Sequence, residues 1–352
     1  MGLFRSRQSD SPPLRAATGI GRVPGLANSY SVGAGVSQAL SIPTVARAVG
    51  LITSTIGALE FRSYSKQYNP ETGEYDRNFL PNEPWMERPD PEVSRQFLVS
   101  NCVRELMMFG RSFWYVKARL ATGYPTAFQW LPYGSISTPD QVGEIWTAPA
   151  EEIYFNGVEV DPGNVVQFMT GMPGMLDYGK RAIEIALALD KAAQRFATVE
   201  IPAGYLQVKP GGEALSSDEL EEIANGWAAA RRENAVGILN ELLDYRESSI
   251  NPSTLQLASG RDYAATELAR VTQVPPWLVG VAVGGLTYQN SEQARRDLYL
   301  FGAKPYVDAI EQTLSAPNVS PRGRFVEMDI LSYIGETENL PMANQEETIP
   351  NA

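Results

Sequence analysis

Histidine is absent from the 352 residues, and cysteine occurs once, as Cys102. The first absence removes the commonest general base and zinc ligand, and with them any Ser-His-Asp triad. The second excludes an intrachain disulfide and a thiol cluster for metal. A hydrolase built from this chain would have to work through carboxylates, lysine or tyrosine alone. Long apolar runs are also missing. Nothing approaches the roughly 18 residues that a membrane-spanning helix needs, and the polar stretch Met1 to Asp10 lacks the apolar core of a secretory signal. Basic charge is scarce: 29 Lys and Arg face 41 Asp and Glu, a net charge of −12. Proteins that grip phosphates are normally basic, because released counterions drive the binding. This chain as a whole repels DNA, which fits plain solubility or a surface that meets DNA without holding it.

What is present is enough for a packed core, since 43% of the residues are hydrophobic. The length suits two or three domains, or one extended subunit crossed by several segments. Residues 1–40, rich in Gly, Ser, Pro and Arg, read as a flexible arm. Ser41 is placed to cap a helix with Pro43 in its first turn, and Val45, Val49, Ile52 and Ile56 follow at helical spacing. Leu59 to Arg62 alternates as a strand, whereas 66–92, broken by five prolines, reads as a loop. Ser94 and Gly110 bracket a second helix carrying Val99, Cys102, Leu106 and Phe109. Short strands are expected at 112–117, 126–131, 152–155 and 164–169. From Tyr178 the pattern turns helical. Ala182, Ile185, Leu189 and Phe196 form an apolar stripe, and Pro202 ends the run. A strand at 205–208 precedes the capping box Ser216…Glu219, which opens a helix with Leu220, Ile223 and Trp227. A further helix runs from Asn251-Pro252 to the stop at Val274-Pro275-Pro276. A long one, capped by Asn290 or Ser291 and bent at Pro305, is followed by a strand at 324–330 and an acidic tail.

Two features imitate chemistry. Gly174-Met-Leu-Asp-Tyr-Gly179-Lys180-Arg181 matches a phosphate-binding P-loop up to its last position, where Arg181 replaces the hydroxyl that would bind magnesium. The other reading is a turn with two glycines. Asp218-Glu219 with Glu221-Glu222, and Glu151-Glu152, could bind metal as a nuclease does; the first group also sits where acids favour a helix start. No cofactor and no metal are expected.

Several stretches match a known family in order. Tyr178-Gly179 precedes a descending helix. Leu255-Gln256-Leu257, Arg261 and Glu267-Leu268-Ala269-Arg270-Val271 lead into Val274-Pro275-Pro276-Trp277-Leu278-Val279-Gly280, and Ser291-Glu292-Gln293 opens the next helix. Val45 to Tyr64 and Gly110-Arg111-Ser112-Phe113 agree further upstream. Over residues 40–335 the chain resembles the HK97-type portal family of tailed bacteriophages.

That resemblance implies an α+β, portal-type subunit with a mixed α/β wing, a helical stem and a small α/β clip, its crown absent or vestigial. The implied division is an arm (1–40), a first wing part (41–178), stem helix 1 (179–203), a clip (204–252), stem helix 2 (253–275), a tunnel loop (276–290), a second wing part (291–335) and a disordered tail (336–352). The stripe Ala182, Ile185, Leu189 and Phe196 would then face neighbouring copies in a ring, usually of twelve. Ser216, Glu219, Leu220, Ile223 and Trp227 would belong to the surface that docks the terminase large subunit and later the head-tail adaptor. Val281, Ala282, Val283, Gly284, Gly285, Leu286, Thr287, Tyr288, Gln289 and Asn290 would line the channel. The same residues support that role independently: the run carries no charge for phosphates to grip, and its paired glycines are free in backbone angle. The alternative is a buried connection with Leu286 and Tyr288 in the core. The expected subunit is not an enzyme; it meets the major capsid protein and passing double-stranded DNA, not a membrane, and is found at the virion vertex and in host cytoplasm during assembly. The rival function is a packaging enzyme, either a P-loop ATPase or a carboxylate-metal nuclease.

Overall fold

The computed structural model describes residues 32–141, 146–198, 204–208, 216–232, 243–247, 256–281 and 291–335. The first helix, α1 (Val32–Leu40), begins inside the stretch expected as an arm, and Ala39 on it is fully buried. Ser41 does not cap α2 (Pro43–Ala58). Its hydroxyl donates to the Gln38 carbonyl and so finishes α1, while Ile42 holds the N-cap position without a side-chain bond. With Pro43 at the first turn, one of the orphan N–H groups is simply missing, so no cap is needed for it.

The segment expected as a loop is instead a hairpin and a short helix: β1 (Phe61–Asn69), β2 (Glu74–Leu80) and α3 (Pro84–Glu87). β2, Glu-Tyr-Asp-Arg-Asn-Phe-Leu, is almost wholly exposed, so it shows no apolar alternation to read. Its pairing partner and the turn closed at Gly73 define it instead. Helix α4 (Arg95–Phe109) forms as its sequence dictates. The Ser94 hydroxyl accepts from the Phe97 N–H, and Gly110 ends the helix in the left-handed region at φ 75°. Then come β3 (Arg111–Arg119), β4 (Pro125–Leu131), β5 (Ile136–Ser137), β6 (Ile153–Phe155), β7 (Val158–Val160) and β8 (Val165–Met169). They are followed by α5 (Met175–Tyr178), α6 (Lys180–Thr198), β9 (Gly204–Val208), α7 (Ser217–Arg232), β10 (Leu243–Glu247) and α8 (Leu257–Thr272). Last are α9 (Ser291–Asp297), α10 (Lys304–Leu314), β11 (Arg324–Met328) and α11 (Ile330–Ile334), the last capped by Asp329.

The bend expected at Pro305 takes a specific form. Leu298–Ala303 winds as a π-helix between α9 and α10, and the Lys304 N–H reaches back five residues to Tyr299. Pro305 has no N–H for Phe301, and its ring crowds that carbonyl, so a wider turn just ahead of it accommodates the chain.

Among the described residues every strand pairing is antiparallel. The sheets are β11-β1-β2, β4-β3-β8, β5-β6-β7 and β10-β9. The middle sheet, around β3, supplies the buried aromatics Trp114, Phe128 and Phe168, with rings 4.7–5.6 Å apart. Ile52 and Ile56 of α2 and Leu98, Leu106 and Met107 of α4 complete the core. Backbone contacts divide the chain into two compact units, Met1–Leu187 with Tyr263–Ala352, and Ala188–Asp262. No helix among the described residues is long and apolar enough to cross a membrane.

Candidate functional surfaces

The P-loop-like stretch is a packing device. From Gly174 the chain makes the helical turn α5, and the N–H groups of Asp177, Tyr178 and Gly179 donate to the carbonyls of Gly174 and Met175. They are therefore turned inward, not towards a ligand. A Cβ on Gly174 would lie 2.0 Å from the Met108 carbonyl oxygen, and one on Gly179 would lie 2.6 Å from a Val271 methyl. Both glycines are needed so that this turn can lie against the end of α4 and against α8. The Tyr178 hydroxyl donates to the Val271 carbonyl at 2.9 Å, and the Lys180 ammonium stands 3.9 Å from the Glu184 carboxylate. Of the two readings of the motif, the turn with two glycines is the one that forms. Among the described residues, no group of three or more His, Cys, Asp or Glu is placed to hold a metal ion.

The α6 stripe is split. Ile183 and Ala186 are buried, Ala182 and Leu189 are half-buried, and Ile185 is 45% exposed. Leu189 packs over Gly260, and the Arg261 guanidinium pairs with Asp190 at 2.9 Å, so α6 and α8 meet there. Phe196 lies on the helix, but its side chain falls outside the described residues. Towards α7 the capping box forms as its spacing requires. The N–H and hydroxyl of Ser216 both donate to Glu219 at 2.8 Å and hold its carboxyl below the usual range. Leu220 is exposed, while Ile223 and Trp227, three and seven residues on, are half-buried along the same helix face. β10, which pairs with β9, was not legible in advance: Leu-Asp-Tyr-Arg-Glu has no apolar run.

Of the expected channel loop, only Val281 is described; Ala282–Asn290 lie outside the described residues. The loop's root is fixed. A 3₁₀ turn, Pro276–Val279, ends on Gly280, the Val281 N–H donates to the Pro276 carbonyl, and Arg47 of α2 donates to the Leu278 carbonyl.

A buried carboxylate, Glu105, stands on α4. Its carboxylate accepts from the Ser112 hydroxyl and the Tyr133 N–H, each at 2.7 Å. Burial nevertheless pushes its pKa up to about 7, against those bonds. Arg111 beside it donates to the Tyr133 hydroxyl and lies over the Trp146 ring. A mostly apolar cleft of about 670 Å³ adjoins this cluster, walled by Leu40, Met108 and Trp130.

A family model described as phage portal protein matches residues 43–337. The probable portal protein of Streptomyces phage phiC31 is 24% identical over 324 residues, covering 83% of this chain and 68% of that protein. An HK97 family phage portal protein from Corynebacterium diphtheriae superposes with a TM-score of 0.67 at 24% identity, covering 86% of this chain and 98% of that one. The neck of a native gene transfer agent particle, solved with C12 symmetry, superposes with a TM-score of 0.57 at 17% identity, covering 90% and 89%. At such identities the solved structures speak for the fold. The family model spans most of the elements described above, from the start of α2 to the end of α11, and on that ground the chain belongs to the phage portal protein family.

Proposed function

We propose that copies of this chain, twelve in number, close into a ring at the capsid vertex and form the channel through which double-stranded DNA is packaged and ejected. The observation that carries the reading is the family match over residues 43–337. The C12 neck among the structural neighbours supports the ring and its vertex location. Net charge supports the channel: at −12 the subunit has little to hold phosphates with. Gly174 and Gly179, occupied with packing, favour a structural role over a nucleotide-hydrolysing one.

Within this reading α6 and α8 form the stem, with Ala182, Ile185, Leu189 and Phe196 towards neighbouring copies. β9, α7 and β10 form the clip, which docks the terminase large subunit and then the head-tail adaptor through the face of Ser216, Glu219, Leu220, Ile223 and Trp227. Residues 276–290 form the tunnel loop, and the remaining elements form the wing, seated against the major capsid protein. The subunit spends assembly in the host cytoplasm and ends in the virion. Negative-stain imaging and light scattering of purified protein, with ATP hydrolysis measured alongside, test the proposal. Rings without hydrolysis are expected; a monomer that hydrolyses ATP would return the chain to the packaging enzymes.

A further inference from the structure

The sheet β11-β1-β2 presents one face with an unusual composition. Strand alternation and register place Tyr64, Lys66 and Tyr68 of β1 on that face, opposite Phe79, Arg77 and Tyr75 of β2, with Phe325 of β11 beside Tyr64. β11 pairs with β1 only as far as Ser65, so beyond that point the hairpin runs on as two strands, exposed from Lys66 to Tyr68 and from Glu71 to Asn78. Near its tip the Tyr68 and Tyr75 rings meet edge to face at 5.3 Å, 55% and 67% exposed. Below them Lys66 and Arg77 stand directly opposite each other. Like charges in that position are destabilising. Glu327, 2.6 Å from Arg77, offsets one of them, and the Lys66 ammonium lies 4.6 Å from the Phe325 ring centre. A two-stranded ribbon is marginal in water, and exposed aromatic pairs mark interaction sites. The face calls for a partner that is anionic and partly apolar.

The same chain carries such a surface. From Leu120 to Gly179 it has seven Asp and Glu and no Lys or Arg. The sheet β5-β6-β7 lies in that stretch. Its outer strand exposes Glu159 on one face and Val158, by 68%, on the other, and Glu151 and Glu152 are exposed just before β6. The two small sheets attach to the middle one at different places. Trp85 bridges Phe61 of β1 and Phe128 of β4, whereas Gln167 of β8 holds both the N–H and the carbonyl of Ala150 ahead of β6. Two different, complementary surfaces on one subunit are what a head-to-tail ring contact requires.

We propose that the aromatic and cationic face of the β1–β2 hairpin docks on the acidic β6–β7 hairpin of the next copy around the ring. The inference rests on the ring reading above and adds to it a specific contact between wings. DNA is the poorer occupant, because two cations on a chain of net charge −12 give phosphates little to bind. Cys102 is buried, so introduced cysteines report alone. In the full chain carrying Tyr68→Cys and Val158→Cys, a short bismaleimide is expected to produce a ladder of covalent multimers up to the closed ring, while either single variant stays monomeric on a denaturing gel. Lys66→Glu is expected to reduce the ring fraction, and adding Glu159→Lys to restore it. Wild-type rings with no ladder and no response to the charge swap would overturn the contact while leaving the ring intact. Rings that survive Lys66→Glu but retain DNA less well would assign the face to nucleic acid and overturn it equally. If the wild-type protein forms no ring, the portal reading fails first and the contact with it.

Discussion

The unit Met1–Leu187 with Tyr263–Ala352, called the wing in the proposed reading, and the unit Ala188–Asp262 are built on opposite terms. The wing closes over its own core: Trp114, Phe128, Phe168, Ile52 and Leu98 are all inaccessible to water. Among the described residues of Ala188–Asp262, no side chain reaches that state, and α7 shows Leu220 to solvent. A region stabilised mainly by apolar burial can fold alone, whereas one with little burial depends on what it meets. The difference teaches where stability and assembly reside. The unit with the buried core carries its own folding free energy, and in the proposed ring Ala188–Asp262 would draw its stability from neighbouring copies.

Substitutions in the wing should have the largest effect. Phe168→Ala leaves a cavity under Trp114 and is expected to cost about 3–5 kcal/mol in urea unfolding, while Leu220→Ala stays within about 0.5 kcal/mol. Equal losses would erase the contrast. Next comes Leu189→Asp, at a half-buried position on α6. The expected outcome is a folded wing with an unchanged melting transition but no ring, since an unpaired charge buried between copies costs several kcal/mol. A ring of normal size in that variant would remove the stripe from the interface. If residues 281–290 line the channel as proposed, lysines at Gly284 and Gly285 should leave the ring folded and block DNA packaging, because the added cations hold phosphates. Loss of folding would favour the buried connection instead.

A smaller, pH-dependent effect sharpens the contrast from the wing side. Glu105 has a pKa raised by burial from 4.5 to about 7, and Glu311 on α10 is raised likewise to about 7 by burial. Between those values the folded wing holds protons that the unfolded chain has released, so stability falls as pH rises from about 4.5 to 7. Below the window both states are protonated; above it both are charged, and the cost of a buried carboxylate is fully present. Glu105→Gln keeps a side-chain acceptor for the Tyr133 N–H and should flatten this slope by about 1–3 kcal/mol across the window, read from urea unfolding at a series of pH values. Smallest of all is Lys180→Ala, which removes one exposed ion pair and should change neither nucleotide binding nor stability measurably.

Legibility in the sequence followed burial. Helix α4 could be read from Ser94 to Gly110 because local chemistry, capping and the left-handed end, fixes both its limits. The Ser216–Glu219 box was equally local. The β1–β2 hairpin was missed because its outer strand buries almost nothing, and only pairing with β1 tells it from a loop. Ser41 was misassigned because a residue able to start a helix can equally finish the preceding one, and α1 was not foreseen. The P-loop likeness could be weighed but not settled from spacing. What decides it is the distance from Gly174 to the Met108 carbonyl, a contact across 66 positions. The candidate surfaces were legible only as far as the family resemblance reached. The Lys66–Arg77 and Tyr68–Tyr75 pairs needed register, which exists only once the strands are paired.

Hydrogen exchange compares the two regions directly. Peptides from α4 and β3 should be equally protected in the assembled ring and in the dissociated Leu189→Asp subunit, whereas peptides from α7 should gain protection only in the ring. Equal protection of α7 in the lone subunit would contradict the claim that this part of the chain takes its stability from its neighbours.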